Sequence, residues 1–253
     1  MSIEQFSVLA INLDQSPSRW RHLGDQFSDL NLPVKRITAI AGSELSSEEI
    51  AHTVHHTKNR RRYHRPLTLG EIGCYLSHRK AWAALLESCD NYALIVEDDI
   101  LIHSSIARIL ASASTLKSWD LIKLSDNRKV VPAKTICLDD DFNLVTYYRV
   151  PSCCNGYILS RSGAQKLLSR NEIYRPVDVD IQFHSELNLK VLGITPYPIS
   201  EARFESDIKV QSGGRHSARS YIWRNIPFRF SLFLERKKIS AEIGSVLPQR
   251  YLP

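Results

Sequence analysis

The sequence predicts an α/β protein, a mixed sheet flanked by helices with a basic helical extension at the C-terminus. Apolar runs of strand length alternate with stretches of helical periodicity over about residues 6–200. One run, Tyr92–Val96, is rich in aliphatic and β-branched residues, which is typical of a strand buried on both faces. The region from Lys209 to Arg250 holds nine Lys and Arg against two acids, in a chain whose formal net charge is +6.

Composition narrows the class of protein. The 253 residues are 43% hydrophobic, enough for one large α/β domain or one domain with a small appendage. No run of 18 apolar residues is present, and Met1–Gln5 has no basic segment leading into a long apolar one. The five cysteines form no CxxC pair, which favours neither a disulfide framework nor a zinc site. These features predict a cytoplasmic protein.

The first elements read as strand, helix and strand. Phe6–Asp14 is apolar and ends in Asn and Asp, and a Ser-Pro-Ser turn leads into a helix over about Arg19–Leu30. The N-terminus of such a helix can hold a phosphate. Val34–Ile40 reads as the second strand. There is no glycine-rich loop, so neither a dinucleotide fingerprint nor a P-loop is predicted.

The next stretch contains a basic segment and a long helix. Residues 52–65 are polar and strongly basic, which predicts a mobile surface loop, either simply solvated or a lid for an anionic substrate. Thr68 and Glu71 have the spacing of a capping box, and Leu67 and Ile72 that of a hydrophobic staple. The apolar residues that follow recur at helical spacing. His78 within this helix is expected to be a core or interface residue unless its face points to a cleft.

Three consecutive acids end the apolar strand: Glu97, Asp98 and Asp99. Carboxylates are rarely buried without a partner, so we expect them at the C-terminal edge of the sheet, where open α/β sheets bind ligands. If strand geometry persists, Glu97 and Asp99 share one face and Asp98 points the other way. A divalent cation would relieve the repulsion between them. A solvated strand-to-loop turn is the alternative.

The remaining elements complete the alternating pattern. We predict a helix over Ser104–Leu116, strands over Asp120–Leu124 and Cys154–Ser160, a hairpin turn at Asp139–Asp141, a capping box at Ser162–Gln165, a helix from Pro176 to about Leu189 and an edge strand over Ile194–Ile199.

The C-terminal segment, residues 206–253, is predicted to contact an acceptor or a membrane. Ile226–Lys238 is apolar and then basic, which suits either a helix lying on a membrane face or a terminal helix docked on the core. Its charge indicates an anionic partner, phospholipid or nucleic acid. We expect an anionic membrane surface and no nucleic acid, with the protein peripheral at the inner face of the membrane.

Several strings in the chain, taken in order, resemble glycosyltransferase family 25, the bacterial lipooligosaccharide galactosyltransferases with collagen galactosyltransferases as distant relatives. The resemblance covers about residues 6–200, and its most specific part is the Gly-Glu-Ile-Gly-Cys…Ser-His string. The matching pieces are Ala10–Asp14 with Arg19, Leu69–His78 with Trp82, Ile95–Asp99, Gly156–Ser160 with Gly163 and Ala164, and Pro176–Asp178.

This resemblance implies a GT-A-like, Rossmann-type domain over residues 1–205. It implies inverting transfer of a hexose, usually galactose, from a UDP-sugar to a hydroxyl of a lipooligosaccharide or lipopolysaccharide glycan. The acidic motif would bridge Mn²⁺ or Mg²⁺ to the donor diphosphate, and a carboxylate would accept the proton of the acceptor hydroxyl.

The resemblance also assigns residues to roles, as hypotheses. Asp99 would be the direct metal ligand, with Glu97 a second ligand or one acting through water. Asp178 or Asp180 would be the acceptor base. The donor would be bound by Asn12, Leu13 and Arg19 near uracil and phosphate, by Asp98 at the ribose, and by Glu71; His216 would be a late metal or phosphate contact.

Two other classes of protein compete with this interpretation. A metal-dependent phosphohydrolase or nuclease also uses clustered acids and basic loops, although it usually needs carboxylates from several strands. A non-enzymatic module could use the basic tail on nucleic acid or membrane, but it leaves the acidic strand end unexplained. Binding of UDP-hexose, compared with nucleotides and DNA, separates the three.

Overall fold

The computed structural model describes residues 6–126, 130–202, 222–242, 244 and 246, and it shows an eight-stranded mixed sheet with helices on both faces. The strands are β1 Phe6–Asn12, β2 Val34–Thr38, β3 Tyr92–Glu97, β4 Ile100–Ile102, β5 Leu121–Lys123, β6 Pro132–Cys137, β7 Asn143–Tyr147, β8 Gly156–Ser160, β9 Val191–Thr195 and β10 Ile199–Glu201. The large sheet has the order β2-β1-β3-β8-β5-β9-β7-β6, and β4 pairs with β10 separately. This confirms the predicted α/β class.

The helices cover the two faces of the sheet. They are α1 Pro17–Asp29, α2 Ser47–Thr53, α3 His56–Arg62, α4 Leu69–Glu87, α5 Ile106–Ala113, α6 Arg161–Leu168, α7 Val177–Gln182 and α8 Ile222–Glu235. Side chains of α1 and α5 pack on one face, and those of α4, α6 and α7 pack on the other. None of the helices in the described ranges has the length and apolar character needed to cross a membrane.

Strand β3 is the centre of both cores. Leu94 and Val96 face the α1 and α5 side, Ala93 and Ile95 face the α4 side, and all four side chains are inaccessible to solvent. Burial of a large aliphatic side chain stabilises the fold by about 1.5–3 kcal/mol. The three acids therefore lie at the end of a rigid strand.

The order of the strands brings three chain segments to one edge of the sheet. Strands β1 and β3 are parallel, whereas β8 runs antiparallel between β3 and β5. The loop that precedes β8 consequently lies beside the end of β3, where the Glu97 amide donates to the carbonyl of Asn155 at 2.9 Å. The candidate site forms at this edge.

The predicted capping box starts α4. The amide of Glu71 donates to Thr68 Oγ1 at 3.2 Å, and Glu71 Oε2 accepts from the Thr68 amide at 2.8 Å. Ile72 is buried, and Leu67 packs against the core on the α4 side of the sheet.

Gly73 of α4 lies against the loop after β2. A Cβ at this position would be 2.4 Å from the carbonyl oxygen of Ile40 and 2.7 Å from the amide nitrogen of Gly42, both backbone atoms. The Ile40 amide also donates to Ser77 Oγ at 2.8 Å. The second glycine of the Gly-Glu-Ile-Gly string thus allows the close contact of helix and loop.

Replacing Gly73 by Ala should lower the free energy of unfolding by about 2–3 kcal/mol, because the clash is with backbone and cannot be relieved by a rotamer change. Gly70→Ala is the matched control in the same helix, since a Cβ there meets nothing within 4 Å. It should leave stability unchanged or raise it by up to about 1 kcal/mol. Urea unfolding of both variants measures the difference, and equal effects would contradict the packing role of Gly73.

The basic segment over residues 52–65 is not the loop that its composition predicts. It contains the end of α2 and all of α3. Asn59 is buried and its side chain donates to the carbonyls of Arg65 and Tyr174, both at 3.0 Å, while Lys58 pairs with Glu172. The prediction was wrong because one polar residue anchors this helix, so no apolar periodicity marks it.

Two further predictions about the second half of the chain were wrong. Val191–Thr195 is an interior strand between β5 and β7, because the two prolines follow it and remove no donor from the ladder. Helix α6 is capped by Ser160, whose Oγ accepts from the Gly163 amide at 3.1 Å, rather than by Ser162. The turn at Asp139–Asp141 does join an antiparallel hairpin, β6 and β7, as predicted.

A buried ionic network connects α7 with α4. Asp180 accepts from Tyr75 Oη at 2.7 Å and from Arg175 at 2.6 Å, and it pairs with Arg170 at 2.8 Å. Glu186 accepts from the same two arginines at 2.6 and 2.9 Å. Burial alone would raise the pKa of Glu186, but the guanidinium groups of Arg175 and Arg170 outweigh it and lower the pKa to about 2.

Glu186→Gln is expected to destabilise the protein at neutral pH. The folded pKa lies below the ordinary value, so the carboxylate stabilises the fold fully above about pH 5 and loses this contribution as pH falls towards 2. We expect a loss of about 2–3 kcal/mol at pH 7 that shrinks by about half at pH 3. Urea unfolding of the variant and the parent protein at the two pH values tests this, and a pH-independent difference would contradict it.

Candidate active site

The three acids after Val96 line one cavity of about 380 Å³, together with Leu13 and Arg19. The predicted alternation of Glu97, Asp98 and Asp99 depended on strand geometry continuing through the acids, and that condition is not met. Strand β3 ends at Glu97 and the chain bends there, so side-chain alternation does not continue through the acids. The cavity opens at the C-terminal edge of β1 and β3, where the sequence predicted a ligand site.

Asp98 is fixed by residues from β1 and α1. Asn12 Nδ2 donates to its Oδ2 at 2.6 Å, and Arg19 Nη1 lies 3.4 Å from its Oδ1. Asn12 is itself held by Arg36, whose Nε donates to Asn12 Oδ1 at 2.8 Å. Burial raises the pKa of Asp98 even though Asn12 and Arg19 oppose the shift. This bonding orders the acidic segment.

Asp99 is the acid with unused bonding capacity. Its Oδ1 is buried and has no hydrogen-bond partner among the described residues, and its Oδ2 lies 3.7 Å from Arg19. Burial and the nearby charges of Glu97 and Asp98 raise the pKa of Asp99 to about 7. An unsatisfied buried oxygen beside two more carboxylates suits a divalent cation, because Mn²⁺ and Mg²⁺ prefer oxygen ligands.

A chain of buried aromatic side chains, linked by hydrogen bonds, ends at Glu97 and holds it in place. Trp82 donates to Tyr157 Oη at 2.8 Å, Tyr157 bonds His78 Nδ1 at 2.8 Å, and His78 Nε2 lies 3.1 Å from Glu97 Oε1. Burial alone would raise the pKa of Glu97, but the hydrogen bond and charge interaction with His78 and the charge of Lys123 outweigh it, so the pKa is lowered. Glu97 is thus kept ionised and oriented.

A second cavity, of about 270 Å³, adjoins the first. Its walls include Asp178 at the start of α7 and Asn155 before β8. Gly70, Cys74 and Glu97 line both cavities. Burial raises the pKa of Asp178, although hydrogen bonds from nearby backbone amides oppose the shift. Carboxylates from two distant parts of the chain therefore line two cavities that share a wall.

The other candidate residues lie outside the first cavity. Asp180 is buried in the arginine network and its oxygens are bonded there. Glu71 lines the second cavity, where Arg65 binds both of its oxygens at 2.6 and 2.8 Å. His216 lies outside the described residues. Asn12, Leu13, Arg19, Asp98 and the two proposed metal ligands are brought together as expected.

Sequence reasoning missed a compact group beside Glu97. The ligating atoms of Cys74, His78 and Glu97 lie within 4.8 Å of one another. His78 is buried, as expected, but it also lines the first cavity and contacts an acid. Lys123 was missed as well; it is buried in β5 and donates to the carbonyl of Cys153. A lysine inside an apolar strand was the signal that could have found it.

The mixed sheet and its acids at the C-terminal edge of β3 define a GT-A-like fold. A family model described as glycosyltransferase family 25 (LPS biosynthesis protein) matches residues 6–182, which is more than half of the chain. The chain belongs to glycosyltransferase family 25.

Several similar curated proteins come from animals. A glycosyltransferase 25 family member of Drosophila pseudoobscura pseudoobscura is 28% identical over 180 residues, which cover 68% of this chain and 28% of that protein. Procollagen galactosyltransferase 2 of Homo sapiens is 26% identical over 185 residues, 68% of this chain and 29% of its own length. Procollagen galactosyltransferase 1 of Danio rerio is 29% identical over 188 residues, with 68% and 30% covered. This chain spans less than a third of the length of these relatives.

Proposed function

We propose that the protein is an inverting glycosyltransferase that moves galactose from UDP-galactose to a hydroxyl of a lipooligosaccharide or lipopolysaccharide glycan. The observation that carries the proposal is the pair of adjoining cavities, with Glu97, Asp98 and Asp99 in one and Asp178 in the other. The names of the procollagen galactosyltransferases support galactose as the sugar.

The first cavity would bind the donor. Asp99 and Glu97 are the residues that would hold Mn²⁺ or Mg²⁺, which when bound neutralises charge on the leaving diphosphate. Arg19 lies beside both Asp98 and Asp99 and adds a positive charge in the same cavity. Asn12 and Asp98 connect the ends of β1 and β3, so they keep the acidic segment in position.

The second cavity would bind the acceptor. Asp178 would accept the proton of the attacking hydroxyl, and its raised pKa suits a general base better than that of a solvated aspartate. The acceptor oxygen forms a bond to the anomeric carbon from the face opposite UDP. The bond from that carbon to the diphosphate breaks, and UDP leaves with the bonding electrons, which inverts the configuration.

A donor screen tests the proposal. The protein is incubated with UDP-galactose or UDP-glucose and an oligosaccharide acceptor from lipooligosaccharide, with Mn²⁺ or with EDTA, and products are identified by mass spectrometry. We expect one added hexose from UDP-galactose with Mn²⁺ and none with EDTA. Cleavage of nucleotides or DNA, with no transfer from either UDP-hexose, would support a phosphohydrolase or nuclease and overturn the proposal.

A further inference from the structure

The C-terminal helix α8 exposes a continuous apolar face. Trp223 is 85% exposed and Ile226 and Phe230 are each 60% exposed. Phe233 and Leu234 extend the same row. The spacing of three and four residues places all five side chains on one side of the helix. Large apolar side chains that are contiguous and exposed usually mark an interaction surface.

The opposite face of α8 is docked on the protein. The ring of Phe228 contacts that of Tyr63 with centroids 5.3 Å apart. Arg224 donates to Asn59 Oδ1 at 2.8 Å, which ties α8 to α3. Glu235 is buried and accepts from the Ser185 amide at 2.8 Å. The helix therefore already has a packed face, and the apolar row is a second face that points to solvent.

The charges around this face are positive. Over residues 222–240, Arg229, Lys237 and Lys238 are exposed, whereas Glu235, the one carboxylate in this range, is buried on the docked side. Helix α3, which lies alongside, adds exposed arginines at 60–62. An apolar row with an aromatic residue and a cationic rim is the composition of a helix that lies in a membrane interface.

We propose that α8 docks this protein on an anionic phospholipid bilayer, with Trp223, Ile226 and Phe230 inserted at the level of the headgroups. A second copy of the chain suits the surface less well. A twofold contact through this face would bring the cationic rim of one molecule against the same rim of the other. In an anionic bilayer the headgroups complement the cationic rim, and the boundary with the acyl chains complements the apolar row.

Vesicle co-sedimentation with the full chain tests this. Two kinds of vesicle are compared, phosphatidylcholine with 30% phosphatidylglycerol and pure phosphatidylcholine. The comparison distinguishes the contribution of charge to binding from that of apolar insertion. We expect binding to the anionic vesicles and a loss of about tenfold or more for Trp223→Ser/Phe230→Ser. For Arg229→Gln/Lys237→Gln we expect a loss of roughly thirtyfold, since each of the two cations near the surface contributes about 1 kcal/mol. The matched control Val131→Ser, at a residue 82% exposed elsewhere, should bind as the parent does.

Three outcomes would overturn the proposal. The first is no binding to anionic vesicles, and the second is binding that both double variants leave unchanged. The third is a dimer in analytical ultracentrifugation that Trp223→Ser/Phe230→Ser dissociates, which would assign the face to self-association. The docked face carries none of the substituted residues, so thermal unfolding of each variant should match that of the parent.

Discussion

Replacing Asp99 by Asn is expected to lower transfer from UDP-galactose by about a thousandfold or more. It removes the negative charge from a side chain whose Oδ1 has no hydrogen-bond partner among the described residues, and it replaces one of the two carboxylate oxygens with an NH2 group that cannot bind a cation. The substitution keeps the size of the side chain. It also relieves repulsion from Glu97 and Asp98, so the metal-free variant should unfold at the same or a higher temperature than the parent protein. Initial rates with Mn²⁺ and thermal unfolding measure the two effects.

The control for Asp99 is Asp140→Asn. Asp140 is an exposed acid in the turn between β6 and β7 and lines neither cavity described above. Its removal changes the net charge by the same amount and should leave the transfer rate unchanged. Transfer retained by Asp99→Asn would remove this residue from the metal site.

Asp178→Asn is expected to lower kcat for transfer by about 10²–10⁴-fold, the usual contribution of a general base. The affinity for UDP-galactose should be unchanged, because Asp178 lines the second cavity and not the first. Single-turnover transfer and a separate donor-binding titration distinguish the chemical step from donor binding.

Asp180→Asn is the matched comparison, two residues further along the same helix. Asp180 is bonded to Arg175 and Tyr75 and pairs with Arg170. The variant should lose about 3–5 kcal/mol of stability, because the two buried arginines keep only one of the two carboxylates that neutralise them, Glu186. Asp178→Asn should unfold as the parent does. If Asp178→Asn were active and Asp180→Asn were stable but inactive, Asp180 would be the general base and Asp178 the structural residue.

The sequence predicted those parts of the fold that depend on local patterns. The apolar run before Glu97 predicted β3, and the spacing of Thr68 and Glu71 predicted the start of α4. Helix α3 was not predicted because it is anchored to the protein by one polar residue, Asn59, and not by a row of apolar residues. Composition alone cannot distinguish a solvated loop from a helix held by a few polar contacts.

The sequence predicted only part of the site, because some of its contacts depend on a strand order that the sequence does not reveal. Asn12 is the last residue of β1 and Asp98 directly follows β3, so parallel pairing of the two strands was enough to bring them together across 86 positions of the chain. The contact of His78 with Tyr157 depends on β8 running antiparallel beside β3, which no local pattern indicates. The common wall between the two cavities follows from the same strand order.

If Asp99 and Glu97 hold a cation against the diphosphate of the donor, binding of UDP depends on that cation. The most direct measurement is a calorimetric titration of UDP into the parent protein and Asp99→Asn, each with Mn²⁺ and with EDTA. We expect UDP to bind the parent protein only when Mn²⁺ is present, and to bind the variant at least about tenfold more weakly. Equal UDP affinity with Mn²⁺ and with EDTA in the parent protein would contradict it.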